Sequence, residues 1–300
     1  MFINKINSYN LSSEQLKISY KNLASKDLNL DNPKSFTEKI QWLKFYDCTE
    51  QKTACADKIN LRTICKEKIG KNLCPKILKI YNSIDEIKYD ELPDRFVLKC
   101  NHGCKWNIIC EDKSKFNFDK AIEKIKNWYN SDFSNSWDNN EYQYKNIVPK
   151  IFLEEYLDIK CEYKVWCFNS KAKLCQLVFA DEYPHIENTP KEWNELSTIV
   201  DNKFNLTNIR FNYHSAMRPY NINEYINKHY KNYYFNRYDN YLKYSQKLSE
   251  EFKFVRVDWY RTKTNKMYLS ELTFTPSSGI MCFENDNMDY CLGEMLDLHA

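Results

Sequence analysis

Glycine is scarce in this chain. The 300 residues hold four, Gly70, Gly103, Gly279 and Gly293, where average usage would give about 21. Neither a G-x-G-x-x-G turn nor a G-x-x-x-x-G-K loop can be assembled from those positions. A bound nucleotide would therefore be gripped by side chains, not by a glycine-rich loop. No apolar run approaches the roughly 18–20 residues of a membrane span. The opening stretch MFINKINSYNLSSEQ lacks the apolar core of a signal peptide, so a cytoplasmic protein is expected. An excess of one charge is also missing. Lys+Arg number 44 against 41 Asp+Glu, a net +3, too small a bias to argue for a nucleic-acid partner. There is no C-x-x-C pair, although the chain has twelve cysteines.

What is present reads as a folded chain. Hydrophobic residues make up 43% and charged residues 28%, and the length allows one large domain or two to three subdomains. Cysteines without a leader are expected as reduced thiols. Cys100, His102, Cys104 and Cys110 cluster in sequence. A structural zinc site would usually pair two knuckles, so small buried thiols are the default. Aromatics are abundant, with 23 Tyr, 17 Phe and 7 Trp. Either an AT-rich coding sequence or a sugar-binding surface accounts for that.

The first ninety residues read helical. Ser35-Phe36-Thr37-Glu38 has capping-box spacing and opens a helix with Phe36, Ile40 and Leu43 on one face. A second helix is expected over 53–69, with Gly70 as its left-handed cap. Ser83-Ile84-Asp85-Glu86 repeats the box before a short helix. The pattern then changes. Strands are expected at 95–100 and 106–110, a helix at 118–130, a polar loop at 131–146 and a buried strand at 151–157. Strands 163–168 and 174–179 flank a turn at 169–173, and strands 254–260 and 267–274 flank 262–265, both as hairpins. Residues 182–237 read irregular. Helices are expected at 239–252 and 288–298. Helices first, then mixed helices and hairpins, give an α+β protein and not a doubly wound one.

Four features carry chemistry. Strand alternation puts Arg256 and Asp258 on one face, and pairing around 262–265 brings Asp258 near Glu271. Two close carboxylates repel unless a cation joins them, and Mg²⁺ favours such oxygens together with phosphates. Arg256 can fork onto a phosphate or carboxylate. A solvated hairpin face fits the same residues. Lys99 ends an otherwise apolar strand, and the loop after it, with Gly103, can cover phosphates. A strand-end lysine reaching solvent is the alternative. Asp57-Lys58-Ile59-Asn60-Leu61-Arg62 lies about forty residues earlier and also fits a solvated helix face. Phe152-Leu153-Glu154-Glu155-Tyr156-Leu157, then Glu162, is an apolar strand running into acids, able to meet an adenine edge and a ribose.

Taken together, the order and spacing of these features resemble the ATP-grasp superfamily, and within it the TupA-like family associated with cell-surface polysaccharide biosynthesis. The segments that carry the resemblance are PKSFTEKIQWLKFYD (33–47), ACADKINLRTICKEKIG (54–70), LPDRFVLKCNHGCKWNIIC (92–110), KNIVPKIFLEEYL (145–157), EYKVWCFNSKAK (162–173) and FVRVDWY with MYLSELTFTPSSG (254–279). The resemblance implies an ATP-grasp fold, two α+β subdomains clasping ATP after a helical N-terminal region. The boundaries expected are 1–90 for the helical region, 91–155 for the smaller subdomain and 156–300 for the larger, with a substrate insertion at 182–237. It implies that Lys58 and Lys99 hold ATP phosphates under the loop of His102 and Gly103. Glu154, Glu155, Tyr156 and Leu157 would form the adenine hinge, and Glu162 would meet the ribose. Asp258 and Glu271 would be the magnesium ligands, with Arg256 on the phosphate side. Thr273 stands where many ATP-grasp proteins carry an Asn ligand, and Pro276-Ser277-Ser278-Gly279 replaces a common Pro-Gly turn.

The implied activity is an ATP- and Mg²⁺-dependent carboxylate–amine ligase working through an acyl phosphate. Its partners would be a sugar acid or polysaccharide precursor and an amine or amino acid. After the central hairpin, Ala180-Asp181-Glu182-Tyr183-Pro184-His185 departs from the Arg- and His-containing stretch of the family. His185, Arg210, His214 and Arg218 are the candidate substrate-facing residues. A glycosyltransferase is a rival reading, but no D-x-D triplet ends a strand. A non-catalytic carbohydrate-binding protein is another, and paired lysines and carboxylates do not fit it.

Overall fold

The structure, a computed structural model, describes residues 12–134, 140–179, 196–211 and 237–300. His185, His214 and Arg218 lie outside the described residues, as does most of 182–237. The chain divides into two units. One is built from Lys44–Asp158, the other from Glu14–Leu43 and Ile159–Ala300.

The first unit contains helices α3 (Glu50–Ala56), α4 (Leu61–Ile69) and α5 (Phe118–Tyr129). Its strands are β1 (Ile77–Tyr81), β2 (Phe96–Cys100), β3 (Asn107–Cys110) and β4 (Ile151–Glu155). They form an antiparallel sheet in the order β1-β4-β2-β3. The alternation of β2 buries Phe96, Leu98 and Cys100 with Ile125, Ile151 and Leu153. Val97 and Lys99 turn to the opposite face, where the register sets them beside Glu154 and Phe152 of β4.

The single helix expected over 53–69 is two helices. Asp57 ends α3, and its Oδ1 accepts from the Ile59 and Asn60 amides at 2.9 and 3.4 Å. That local side-chain bond competes with helix continuation. Lys58 consequently sits in a turn and not on a helix. Gly70 does close α4 with φ +88°. β1 falls in the stretch read as helical. At Ser83 there is only a 3-10 turn, Ile84–Glu86, without a side-chain cap from Ser83; Glu86 instead accepts from the Asn82 amide at 3.1 Å.

The second unit holds α1 (Ser13–Ala24) apart from its first residue, α2 (Phe36–Tyr46) as far as Leu43, α6 (Tyr238–Ser249) and α7 (Asp286–Glu294). Its strands are β5 (Ile159–Phe168), β6 (Lys171–Phe179), β7 (Leu196–Asp201), β8 (Phe254–Thr262) and β9 (Met267–Thr273). The strand order is β7-β6-β5-β8-β9, antiparallel throughout. The β5–β6 turn is tighter than expected. Asn169 and Ser170 alone adopt positive φ, +47° and +63°, the two-residue hairpin geometry that follows strand twist. Residues 171–173 therefore join β6. Strand β7 lies in the stretch read as irregular. The last helix begins two residues earlier and ends four earlier than expected.

The capping box at Ser35 forms as spelled. The Ser35 amide donates to Glu38 Oε2 at 3.0 Å, and the Glu38 amide donates to Ser35 Oγ at 3.3 Å. Phe36, Ile40 and Leu43 then pack on Trp166, Phe168, Leu174 and Phe254 of the sheet and on Leu292 and Leu296. The other sheet face is covered by α6, where Tyr241 stacks on Tyr163 at 4.1 Å and Ser245 accepts from the Trp259 indole at 2.9 Å.

Candidate functional site

Candidate residues fall into two clusters, one in each unit. In the first, Glu154 occupies the centre. Its carboxylate is only 4% exposed, and it accepts from Lys99 Nζ at 2.5 Å and from Arg62 Nη2. Arg62 also donates through Nη1 to the Lys58 carbonyl and through Nη2 to the Pro75 carbonyl at 3.2 Å. Its guanidinium lies over the Phe152 ring at 5.3 Å, and its Nε is buried without an acceptor. Glu154, expected at a hinge, thus spends its side chain on a buried ion-pair network.

Lys58 is held beside this network. Its Nζ donates to the Gly103 carbonyl at 2.5 Å and lies 5.5 Å from the Tyr144 ring centre. Its backbone is fixed by the Asn101 carbonyl, while the Asn101 side chain donates to Asp57 Oδ1 at 3.0 Å. Gly103 passes close to Trp106: a Cβ there would come within 2.5–2.9 Å of the indole, closer than a close-packed ring can absorb without moving. His102 is buried, T-stacked on Trp106, with Nε2 3.2 Å from the Trp128 carbonyl. Burial holds its pKa below the usual imidazole range. Further along, Glu155 Oε1 accepts from the Lys76 amide at 2.8 Å, and the Tyr156 hydroxyl donates to Glu111 at 3.1 Å with Arg95 packed on its ring. Leu157 is half-buried.

In the second unit, the sheet face that is apolar at Phe254, Phe168 and Trp166 turns charged one residue pair further along. Arg256 and Asp258 follow Phe254 on β8, Lys164 and Glu162 follow on β5, and the register sets Asp258 opposite Lys164 on one side and Glu271 on the other. Arg256 forks onto Asp258, Nε to Oδ1 at 2.7 Å and Nη2 to Oδ2 at 2.6 Å. The Thr273 hydroxyl lies 3.1 Å from Glu271 Oε1 and 3.3 Å from Asp258 Oδ2, and its single proton serves one of them at a time. Lys164 pairs with Glu162 at 3.1 Å. Burial pushes the Asp258 carboxyl up to about 6, against the pull of Arg256 and with a further push from Glu271.

This donor set suits a hard divalent cation. Two carboxylates face each other across the β8–β9 register, and a cation between them would relieve their repulsion. Among the described residues no group of three or more His, Cys, Asp or Glu side chains is gathered for a metal. Two protein carboxylates fit Mg²⁺, which usually takes its remaining ligands from water and phosphate. The turn after β9, Pro276–Gly279, passes through left-handed backbone at Ser277 and Ser278, and Gln41 Nε2 fastens it through the Ser278 and Gly279 carbonyls at 3.2 and 2.9 Å. Arg210, a substrate candidate, donates through Nη1 to the Thr207 and Ile209 carbonyls at 2.7 and 2.8 Å.

Two charged residues in these clusters, Lys164 and Arg62, were given no role from sequence, although Arg62 closes the Asp57–Arg62 run. Lys164 had a signal, since alternation from Glu162 puts it on the same face. Arg62 had almost none, because its partner Glu154 lies 92 residues away.

No curated protein matches the chain. Among solved structures, it is similar to the ATP-grasp ligase PsnB complexed with a precursor variant, Mg and ADP, at 10% identity and TM-score 0.40, covering 75% of this chain and 51% of that one. It is similar to a D-alanine–D-alanine ligase from Bacillus anthracis complexed with ATP, at 14% identity and TM-score 0.37, covering 73% and 53%. An L-amino acid ligase from Bacillus licheniformis matches at 12% identity and TM-score 0.41, covering 75% and 44%. The chain thus spans about half the length of the solved structures it matches. The TupA-like ATPgrasp family matches over residues 38–297, nearly the whole chain, and the chain belongs to that family.

Proposed function

We propose that the chain is an ATP- and Mg²⁺-dependent ligase that joins a carboxylate to an amine through an acyl phosphate. The observation that carries this reading is the β8–β9 register, which sets Asp258 opposite Glu271 with Arg256 forked onto Asp258. Membership of an ATP-grasp family supports the same reading.

In this reading a carboxylate oxygen of the substrate attacks the γ-phosphorus of ATP. The bond to the bridging oxygen breaks and ADP leaves. The amine then attacks the acyl carbon, and phosphate departs with the electron pair and takes up the proton that the nitrogen loses. No protein nucleophile is required, so the work is positioning and charge neutralisation. Lys58 and Lys99 hold phosphate oxygens, and Arg256 neutralises the group in transfer. Tyr156 and Leu157 offer hinge backbone to adenine, and Glu162 accepts from the ribose. Asp258 and Glu271 would hold magnesium, which supplies Lewis-acid polarisation of the phosphates.

The substrate proposed is a sugar acid of a cell-surface polysaccharide, with an amine or amino acid as second substrate, acted on in the cytoplasm. The test is ADP release from ATP and Mg²⁺ with a panel of sugar acids and amines. Release that needs both substrates, and that Asp258→Asn or Glu271→Gln abolishes, is expected. No nucleotide binding by the wild-type chain overturns the reading, and turnover of a nucleotide sugar without ATP replaces it with a glycosyltransferase.

A further inference from the structure

Glu154 accepts from two cations that differ in how firmly they are fixed. Arg62 is anchored by two backbone carbonyls and the Phe152 ring in addition to its ion pair. Lys99 reaches Glu154 along a flexible stem from the neighbouring strand. The side chains of Arg62, Glu154 and Lys99 are 13%, 4% and 14% exposed, so water does little to screen the three charges. A carboxylate buried to that extent is strongly unfavourable without a cation.

The proposed function asks Lys99 to bind phosphate. Moving toward an anion means loosening its hold on Glu154. Were Lys99 the only cation there, its transfer to a phosphate oxygen would leave a buried carboxylate unpaired. With Arg62 in place, Glu154 stays neutralised and Lys99 is available. Lysine suits the movable role because it is a compact charge on a four-carbon stem. Arginine suits the fixed one because its planar fork serves several acceptors at once.

We propose that Arg62 is a positioning residue for nucleotide binding. It holds the charge of Glu154 so that Lys99 can transfer from that carboxylate to a phosphate. The inference rests on the proposed nucleotide-binding function and adds a residue to it. The same side chain secures the Lys58 backbone, but neutralisation of Glu154 is the effect that a double-mutant cycle isolates.

The experiment is that cycle on the full chain, with MgADP dissociation constants measured by calorimetry. Arg62→Met, which keeps the apolar stem, is expected to weaken MgADP about tenfold or more. In a Glu154→Gln background, where no buried carboxylate remains to be held, the same change is expected to cost less than about threefold. Arg62→Lys, which keeps the charge but not the fork, is expected to fall between Arg62→Met and wild type. Equal losses from Arg62→Met in both backgrounds, or no loss in either, overturn the proposal. Should Arg62→Met alone not fold, the comparison of Arg62→Met/Glu154→Gln with Glu154→Gln decides: matching affinities support the proposal and a tenfold gap overturns it. A wild-type chain that binds no MgADP overturns the nucleotide reading itself, whereas a wild type that binds beside an unaffected Arg62→Met overturns only the role of Arg62.

Discussion

At the scale of single residues, Asp258 carries the clearest titration. Its carboxyl rises from 3.8 to about 6, burial being the main cause. A folded-state pKa above the unfolded one means that the native chain binds the extra proton between those values. The stability Asp258 contributes is therefore fully present below about pH 3.8 and is lost as pH rises through about 6. In chelator, wild type is expected to lose stability relative to Asp258→Asn by a few kcal/mol between about pH 4 and about pH 6.5, then to level off. Urea unfolding midpoints of the two proteins across that range check this, and a constant difference between them would contradict it. Bound magnesium is expected to abolish that loss, because a cation favours the ionised carboxylate and lowers its folded-state pKa. The charges that face Asp258 come from Arg256 two residues away, from Glu271 on the next strand and from Lys164 on β5. Hence the pair was legible from alternation and one hairpin turn. The network around Glu154 was not, since it joins α4, β2 and β4 across 55 and 92 residues.

At the scale of elements, α2 and α7 terminate each other. Asp289 of α7 accepts from the Thr37 amide at 2.9 Å and the Thr37 hydroxyl at 2.6 Å, at the start of α2. Lys39 of α2 donates to the Gly293 and Leu296 carbonyls, at 2.8 and 2.7 Å, at the end of α7. A carboxylate thus meets a helix N-terminus and an ammonium meets a C-terminus, both in the favoured sense. Burial raises the pKa of Asp289 despite the Thr37 bonds, so this carboxylate is costly to strip of partners. Asp289→Ala is expected to destabilise the chain by about 1–3 kcal/mol, because it leaves buried donors unsatisfied. Asp289→Asn, which retains an acceptor, should lose less. Thermal unfolding of the three proteins reads the order, and equal midpoints would contradict it. The sequence held the α2 half of this arrangement in its capping box. The other half needed the approach of a residue 252 positions later. Elements were missed for local reasons too. β1 is an edge strand whose Leu78, Lys79 and Ile80 are all exposed, so it lacks the alternation by which a strand is recognised. The break after α3 comes from one aspartate whose side chain captures two amides just beyond it, and no periodicity in the flanking residues announces it.

At the scale of the whole molecule, each unit has its own sheet and its own set of protected thiols. None of the twelve cysteines is in a disulfide. Cys55, Cys65, Cys74, Cys100 and Cys110 are buried in the first unit, and Cys161, Cys167 and Cys175 in the second. Cys282 and Cys291 are exposed. A thiol reagent should therefore label the two exposed cysteines first and reach the buried ones only as each unit opens. Full labelling in denaturant should need no reductant. A ligand that binds the native state slows opening of whatever it stabilises, by an amount set by its concentration over its dissociation constant. The proposed function assigns Lys58 and Lys99 to phosphate and Asp258 and Glu271 to magnesium. MgADP at about 100 times its dissociation constant should then slow labelling of both buried sets by up to about a hundredfold where opening releases the ligand. Mass spectrometry of labelled peptides assigns the protection to each cysteine. Protection confined to the first set would remove Asp258 and Glu271 from the nucleotide contacts, and protection confined to the second would remove Lys58 and Lys99. Either result would leave the family membership intact and dismantle the assignment of one cluster. Protection of both sets that Lys99→Met and Asp258→Asn each weaken is the outcome the proposed function requires.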